Sequence, residues 1–539
     1  MKTIKLLTCA FCLGLVISSC SDDFLENEPI MKDVQSSYYR DDAQMYNALI
    51  AAYDGLQLEC GHALANGITL GEIRSDNART GGGSDADGGS MPFVEAFTNT
   101  VDNAISNGVW ERGYKGIYRA NLVINADYTS EETEVYKAEA KFIRAWQHFD
   151  VLRVYGPCPI SLETIYPEDM QFTRNTRQEV YTQIEKDLLE AIPVLKKSFD
   201  KDQIGRITKS AAQALLGKTY LYWADWDNDN EALFDKAKTQ FEAVVASGQY
   251  QLMNNYANIF NSHSENNTES VFEIQHATTS GAKNKGTYGE DSEGAFWMNF
   301  VGPRGLKGDN PDFYVGWGFM LPTKHLQESF LVEDSIRKDV ALLDYDEVLA
   351  RVLEVNPNHS TAPKDIWDIS RYGSPDWQGA AQGKYEMWKD YNYVGNRAHN
   401  NPGNEKIIRY ADVLLMLAEA NLRGSSHNEQ TAKELINQVR KAHMGAGGDN
   451  YLTVDQQLSK YSNRFSTVLD VLWYERRVEL ACEGDRWYDL VRSGRAEKVM
   501  SPILKNEYGV TWEAHDIYLP IGSVELAAAN GSLEAYPNE

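Results

Sequence analysis

Apolar residues recur at intervals of three and four in two separated stretches of this chain, the spacing that gathers them on one helical face. Glu134 to Tyr155 carries Phe142, Trp146, Phe149 and Leu152 in that register, and Gly156 with Pro157 stops it. Glu179 to Leu195 places Ile184, Leu188 and Ile192 together, and Lys209 to Trp226 with Glu231 to Ser247 makes a helical pair. A second block repeats the helix–turn–helix pattern over Lys406 to Arg423 and Thr431 to His443, and a last helix is predicted over Thr467 to Cys482.

Between the blocks the periodicity disappears. Glycine and aromatic residues alternate without helical or strand period from Thr279 to Phe319, and Pro357 to Pro402 is similar, with Trp367, Trp377 and Trp388. Gly81 to Gly89 is a short Gly/Asp-rich stretch. Loops longer than about 15 residues inside a compact domain usually carry function or are disordered, and the aromatic content argues against disorder. The region around 279–402 is therefore the candidate binding surface, set on a helical scaffold. In that scaffold Leu216 to Tyr220, then Ala237 and Phe241, match part of the tetratricopeptide pattern, in which small residues let two helices approach and a ring fills the groove.

The first residues change the picture of where the chain works. Lys2 and Lys5 precede an apolar run from Leu6 to Ile17, then Ser18, Ser19 and Cys20. That is the charged, apolar and small-residue sequence of an export signal, and the run falls short of the roughly 20 residues a membrane span needs. Ile17 to Cys20 resembles a lipobox, so residues 1–19 are expected to be a removed leader and Cys20 the lipidated first residue of the mature chain. Residues 20–40 form its tether and 41–539 a single domain. Two lysines and no acid leave with the leader, taking the net charge from −26 to −28. A chain this anionic will not collect phosphates, so nucleic acid is excluded as a partner. Of the cysteines left, Cys60, Cys158 and Cys482 have no metal-ligand spacing and read as buried thiols. No second apolar stretch approaches membrane length, leaving the lipid as the membrane anchor.

Several segments, in order, resemble one family: Tyr114 to Asn121; Ala138-Glu-Ala-Lys-Phe-x-Arg-Ala-Trp146 running to Tyr155; Gly205-Arg-x-Thr-Lys209; Gly316-Trp-Gly318; Arg409 to Ala420; and above all Glu475 to Arg492. The pattern is similar to that of the SusD/RagB nutrient-binding outer-membrane lipoproteins. The resemblance implies an all-α fold, a tetratricopeptide-like helix-pair scaffold with long loop insertions and minor β structure. It also implies a surface protein that is not an enzyme, has no cofactor, captures glycan and delivers it to a SusC-type TonB-dependent transporter. Peptide capture of the RagB kind, a surface glycosidase and a transporter cap without ligand remain alternatives.

The chemistry in these motifs favours structure over catalysis. Glu475, Glu479 and Glu483 share a helical face, and paired carboxylates run glycoside hydrolysis, but these are interleaved with Arg476, Arg477, Arg486 and Arg492. Arginine pairing would keep them ionised and clamp one helix to its neighbour, with Gly484 as the left-handed stop. Asp225 to Asn230 begins like a calcium loop, yet its twelfth position is Lys236 and not a bidentate glutamate, so it reads as a helix–helix turn. Asp85 to Gly88 is weaker still. No metal site follows. For a sugar, aromatic faces would stack the C–H side of a pyranose while polar groups take its hydroxyls. Candidate platforms are Trp297, Tyr288, Phe300 and Tyr314. The resemblance adds Arg74, Asp76, Asn77 and Arg79 of an early loop as rim groups and makes Trp317, inside Gly-Trp-Gly, a scaffold residue.

Overall fold

Most of the long helices in this protein begin where a side-chain oxygen caps them. In the computed structural model, which describes residues 39–61, 67–84, 86–164, 173–261, 263–277, 294–372, 376–391, 393, 397, 400–444 and 451–537, the long helix predicted from Glu134 starts three residues earlier. Ser130 and Thr133 form a reciprocal cap there.

In chain order the elements that matter here are α1 (Asp42–Gly61), α2 (Gly67–Ile73), β1 (Ala78–Gly81), α3 (Ala104–Ile124), α4 (Glu131–Tyr155), α5 (Arg177–Ala191), α6 (Lys209–Trp226) and α7 (Glu231–Ala246). Next come β2 (Ser270–Ile274), α8 (Trp297–Val301), β3 (Phe319–Pro322), α9 (Ser335–Ala341), β4 (Leu342–Asp344), β5 (Ala380–Gln382) and β6 (Glu405–Arg409). After these come α10 (Tyr410–Arg423), α11 (Glu429–His443), α12 (Val468–Glu479) and α13 (Arg486–Arg492); further helices include Tyr345–Val355 and Ala496–Ile503. Helix predominates, at 55% against 7% strand, which is the all-α class read from the sequence.

Sequential helices pack as neighbours: α3 on α4, α4 on α5, α6 on α7, α10 on α11, with α7 also against α10. The tetratricopeptide reading of the α6–α7 pair is visible atom by atom. A Cβ on Gly217 would lie 2.5 Å from the Phe241 ring, so only glycine lets that ring fill the groove. Ala237 and Phe241 are fully buried beside it.

Three two-stranded antiparallel ladders, β1–β3, β2–β6 and β4–β5, fasten the loop insertions to the helices. One of them corrects the sequence reading. Lys406 to Arg409 is not the start of a helix; it is strand β6, paired with β2, and α10 begins at Tyr410. Ile407 and Ile408 suit a pleated surface better than a helix turn, and the pairing decides the matter. Two ends also move. α5 stops at Ala191: Ile192 keeps a helical backbone and donates to Leu188 O at 2.9 Å, but Pro193 has no N–H to continue the ladder. α12 stops at Glu479, with Cys482 as well as Gly484 at positive φ in the turn that follows.

The Asp225–Asn230 segment is the last two residues of α6 and the α6–α7 turn. Asn228 and Asp229 are left-handed, and Asn230 caps α7. Its acids are engaged: Asp225 pairs with Arg492 at 2.9 Å and Arg423 at 2.6 Å, and Asp229 with Arg423 at 2.6 Å. Cys158 and Cys482 are buried free thiols, and burial pushes the Cys158 thiol up to about 12. The Cys60 side chain, the leader, Cys20 and most of the tether lie outside the described residues. Among those described, no helix is long and apolar enough to cross a membrane.

Candidate functional site

The motif that looked most like chemistry, Glu475 to Arg492, is a buried ion network. Arg337, Lys384, Arg409, Arg440 and His443 face Glu269, Asp334, Glu475, Glu479 and Glu483, all sealed from solvent. Arg409 reaches Glu483 and Glu269 at 2.6 Å, Arg337 and Arg440 each reach Glu475 at 2.6 Å, and Lys384 reaches Glu483 at 2.6 Å. His443 spans Glu479 (3.0 Å) and Glu269 (3.2 Å). Burial alone would lower His443, but the two glutamates raise it to about 9; reciprocally, Glu479 stays well below the usual carboxylate range despite its own burial. Glu269, His443 and Glu479 come within metal-ligand distance of one another, yet the protonated imidazole and Arg409 already supply their positive charge. A neighbouring cluster is built alike: Arg476 binds Asp412 and Asp489 at 2.7 Å, and Arg492 binds Glu419 at 2.8 Å.

The early loop proposed as a ligand rim belongs to the same framework. Arg74 is buried, with its guanidinium 4.8 Å from the Phe97 and Trp487 ring centres and donating to the carbonyls of Asp516 and Tyr518. Asp76 is buried against Arg486 (2.8 Å) and Arg477 (2.8 Å), which overcome its desolvation and hold it far below the usual range. Asn77 accepts from Arg477 at 3.1 Å, and Arg79 pairs with Glu95 at 2.9 Å and lies over Tyr508. Engaged inside the fold, Arg74, Asp76 and Asn77 tie the segment before β1 to α12, α13 and the Asp516–Tyr518 stretch. Arg79 joins β1 to Glu95 and Tyr508, and none of the four lines the outer cleft.

The cleft lies one layer outward, where the loop insertions meet. Asp87 of the Gly/Asp-rich turn, Phe296 and Phe300 of α8, Arg304 to Lys307, Val315 to Trp317, Phe319 and Arg371 enclose about 650 Å³. Its floor is aromatic. Phe300 stacks on Phe319 with centroids 4.3 Å apart and planes 5° from parallel, and Trp317 meets Phe296 edge-on at 5.0 Å. Backbone bonds hold the Gly-Trp-Gly strap to α8: Trp317 N donates to Asn299 O at 2.8 Å and Gly318 N to Gly302 O at 2.8 Å. A Cβ on Gly316 would lie 2.5 Å from Gly302 O, and Gly318 has φ +72°, so both positions require glycine. The strap is scaffold, as read from sequence, but the Trp317 indole is only partly buried and lines the cleft.

Of the platform residues, Phe300 is among those lining the cleft, with its own ring buried against Phe319. Trp297 is turned inward and fully buried, its ring 6.1 Å from Phe300 and 6.3 Å from Tyr385. Tyr314 is partly buried beneath Arg397, 3.8 Å from its ring, and is not on the cleft wall. Tyr288 lies outside the described residues. On the wall, Arg304 Nη1 is 3.4 Å from Asp87 and donates to Trp317 O at 3.2 Å, while Lys307 and Arg371 approach Asp368 at 3.7 and 3.5 Å. Sequence reasoning missed these three cations and Phe296; the glycines at 302, 305, 316 and 318 were the available signal that backbones meet there. The carboxyls that burial pushes up to about 7, Glu72 and Glu95, are inside the framework, and Asp87 is the only carboxylate among the described lining residues. A second hollow, of about 570 Å³, lies between α1 and the turn at Gly205, on the helical scaffold.

A helix-pair scaffold that carries an aromatic-floored cleft in its insertions defines a module in which framework and cleft are separate. A family model described as starch-binding and associating with the outer membrane matches residues 23–221, and the SusD family model matches 366–518. The chain belongs to the SusD/RagB family. It is 24% identical over 520 residues to the SusD-like protein P2 of Formosa agariphila, covering 93% of each chain. Its fold is similar to that of a laminarin-binding SusD-like protein (27% identity, TM-score 0.74, 93% of this chain and 100% of that one). It is also similar in fold to a surface glycan-binding protein A from Bacteroides thetaiotaomicron in complex with laminarihexaose (24% identity, TM-score 0.75, 91% and 98%).

Proposed function

We propose that this protein captures a glycan at the outer surface of the outer membrane, anchored through a lipid on Cys20. It passes that ligand to a SusC-type TonB-dependent transporter without hydrolysing it. The aromatic floor of the cleft carries the reading. Trp317 offers a partly exposed face beside the Phe300–Phe319 stack, which suits the C–H side of a sugar ring, and the charged wall suits its polar substituents. The family and the laminarin and laminarihexaose ligands named for two relatives support glycan as the ligand class. Hydrolysis needs two carboxylates flanking the scissile bond about 5–10 Å apart, and the described cleft wall presents Asp87 alone.

Titration of the detergent-solubilised chain with a panel of polysaccharides and peptides tests this. Binding of at least one glycan, weakened in Trp317→Ala, supports it; binding of peptides alone, or release of reducing ends from any glycan, overturns it. In cells, Cys20→Ala should release a folded protein from the membrane.

A further inference from the structure

We infer that the cleft is built for an acidic polysaccharide, one bearing uronate carboxylates or sulfate esters, in preference to a neutral glucan. This rests on the glycan-capture reading and specifies its substrate class.

The charge on the wall runs against the charge of the chain. The sequence holds 78 acidic and 52 basic residues, so an arbitrary patch of surface should carry an acidic excess. Around the cleft the order is reversed: Arg304, Lys307 and Arg371 line it, with Asp87 as the one lining acid. Behind that lining, Asp368 pairs with Lys307 and Arg371, and Asp376 accepts from Gly81 N at 2.9 Å opposite Phe319, so the cationic excess belongs to the lining itself. The remote acidic excess does not cancel this, because charges beyond a Debye length of about 8 Å are largely screened at physiological salt.

The three cations are also held without being saturated. Their ion pairs measure 3.4 Å for Arg304, 3.7 Å for Lys307 and 3.5 Å for Arg371, against roughly 2.7–2.9 Å for a fully formed charge-assisted bond. The Arg371 pair runs through Nε, and its side chain is 67% exposed, so that pair does not engage the terminal nitrogens of its fork. A planar guanidinium matches a carboxylate or sulfate bidentately, and lysine adds a point charge. A ring stacked on Trp317 would place its anionic substituent against this wall. A neutral glucan would use the floor and leave the wall idle.

The test is binding of polygalacturonate, chondroitin sulfate and laminarin to the detergent-solubilised full chain at 0.15 M salt. The expected result is that one of the two anionic polymers binds at least about ten-fold more tightly than laminarin. That preference should shrink as salt is raised to about 0.5 M, and the double variant Arg371→Gln, Lys307→Gln should reduce it to within about three-fold of parity. Laminarin bound as tightly as both polyanions overturns the inference and leaves glycan capture standing. A preference that survives the double variant overturns the assignment to this wall. No glycan bound at all overturns the inference together with the reading beneath it.

Discussion

Arg409 and Arg371 carry the same guanidinium into opposite surroundings. Arg409 is enclosed, with Glu483 and Glu269 both at 2.6 Å and Glu479 at 3.1 Å; Arg371 is two-thirds exposed and touches one acid at 3.5 Å. The first is part of a sealed network with five cations named above for five anions, whose removal from water is repaid only while every partner stays in place. The second stands in a wall whose pairs are long enough to leave bonding capacity for something else. Charge that looks catalytic in sequence can therefore be framework, and under the proposed reading the charge that meets a ligand is the one left incompletely paired.

The sharpest way to break this contrast is to remove one partner from each side. Arg409→Met should cost about 3–5 kcal/mol of stability, because it strands buried carboxylates, and denaturant unfolding would read it directly. A loss under about 1 kcal/mol would mean that the network does not hold the α11–α12 region together.

The second effect is read by pH. His443 titrates near 9 in the fold against roughly 6.5 unfolded, so its stabilising contribution is complete below about pH 6.5 and is lost as pH rises through 9. Unfolding free energy should fall by about 3 kcal/mol across that window. His443→Gln should flatten the alkaline limb, and an unchanged slope in that variant would assign the limb elsewhere. His148 acts at the other end. Burial depresses it to about 3, so the stability it confers is present above about pH 6.5 and drains away as pH falls toward 3.

Third, Trp317→Ala should weaken glycan binding about 10- to 100-fold while shifting stability by no more than about 1 kcal/mol, since the strap is held by backbone bonds and the indole is partly exposed. Paired calorimetric and binding measurements would check it. Equal binding by the variant would move the sugar platform away from this floor.

How much of this could be read from sequence follows from where the information lies. Helical periodicity, the stop at Gly156 and the Gly217–Phe241 contact are local or nearly so, and the chain shows them directly. The clamp at Glu475 to Arg492 was legible because acids and bases alternate there. The β6 strand was not, because Lys406 to Arg409 reads equally well as a helix start until β2, more than 130 residues earlier, is seen beside it. The site failed for the same reason. Nothing within Arg74 to Arg79 reveals that Arg477, Arg486 and Asp516 bury it, and nothing within Trp297 or Trp317 tells which of the two rings turns inward.

The smallest expected effect is the one that most sharpens the contrast. Arg371→Gln, taken alone, should leave unfolding free energy within about 0.5 kcal/mol of wild type, because an exposed pair at 3.5 Å gains little over water. Arg409→Met, by the argument above, costs several times more. If Arg371→Gln instead destabilises by more than about 1 kcal/mol, its contact with Asp368 is framework after all, and the wall is no freer than the core. If stability is untouched while the affinity for an anionic glycan falls, the same side chain type has been separated into a structural and a recognition role by burial and pair distance alone.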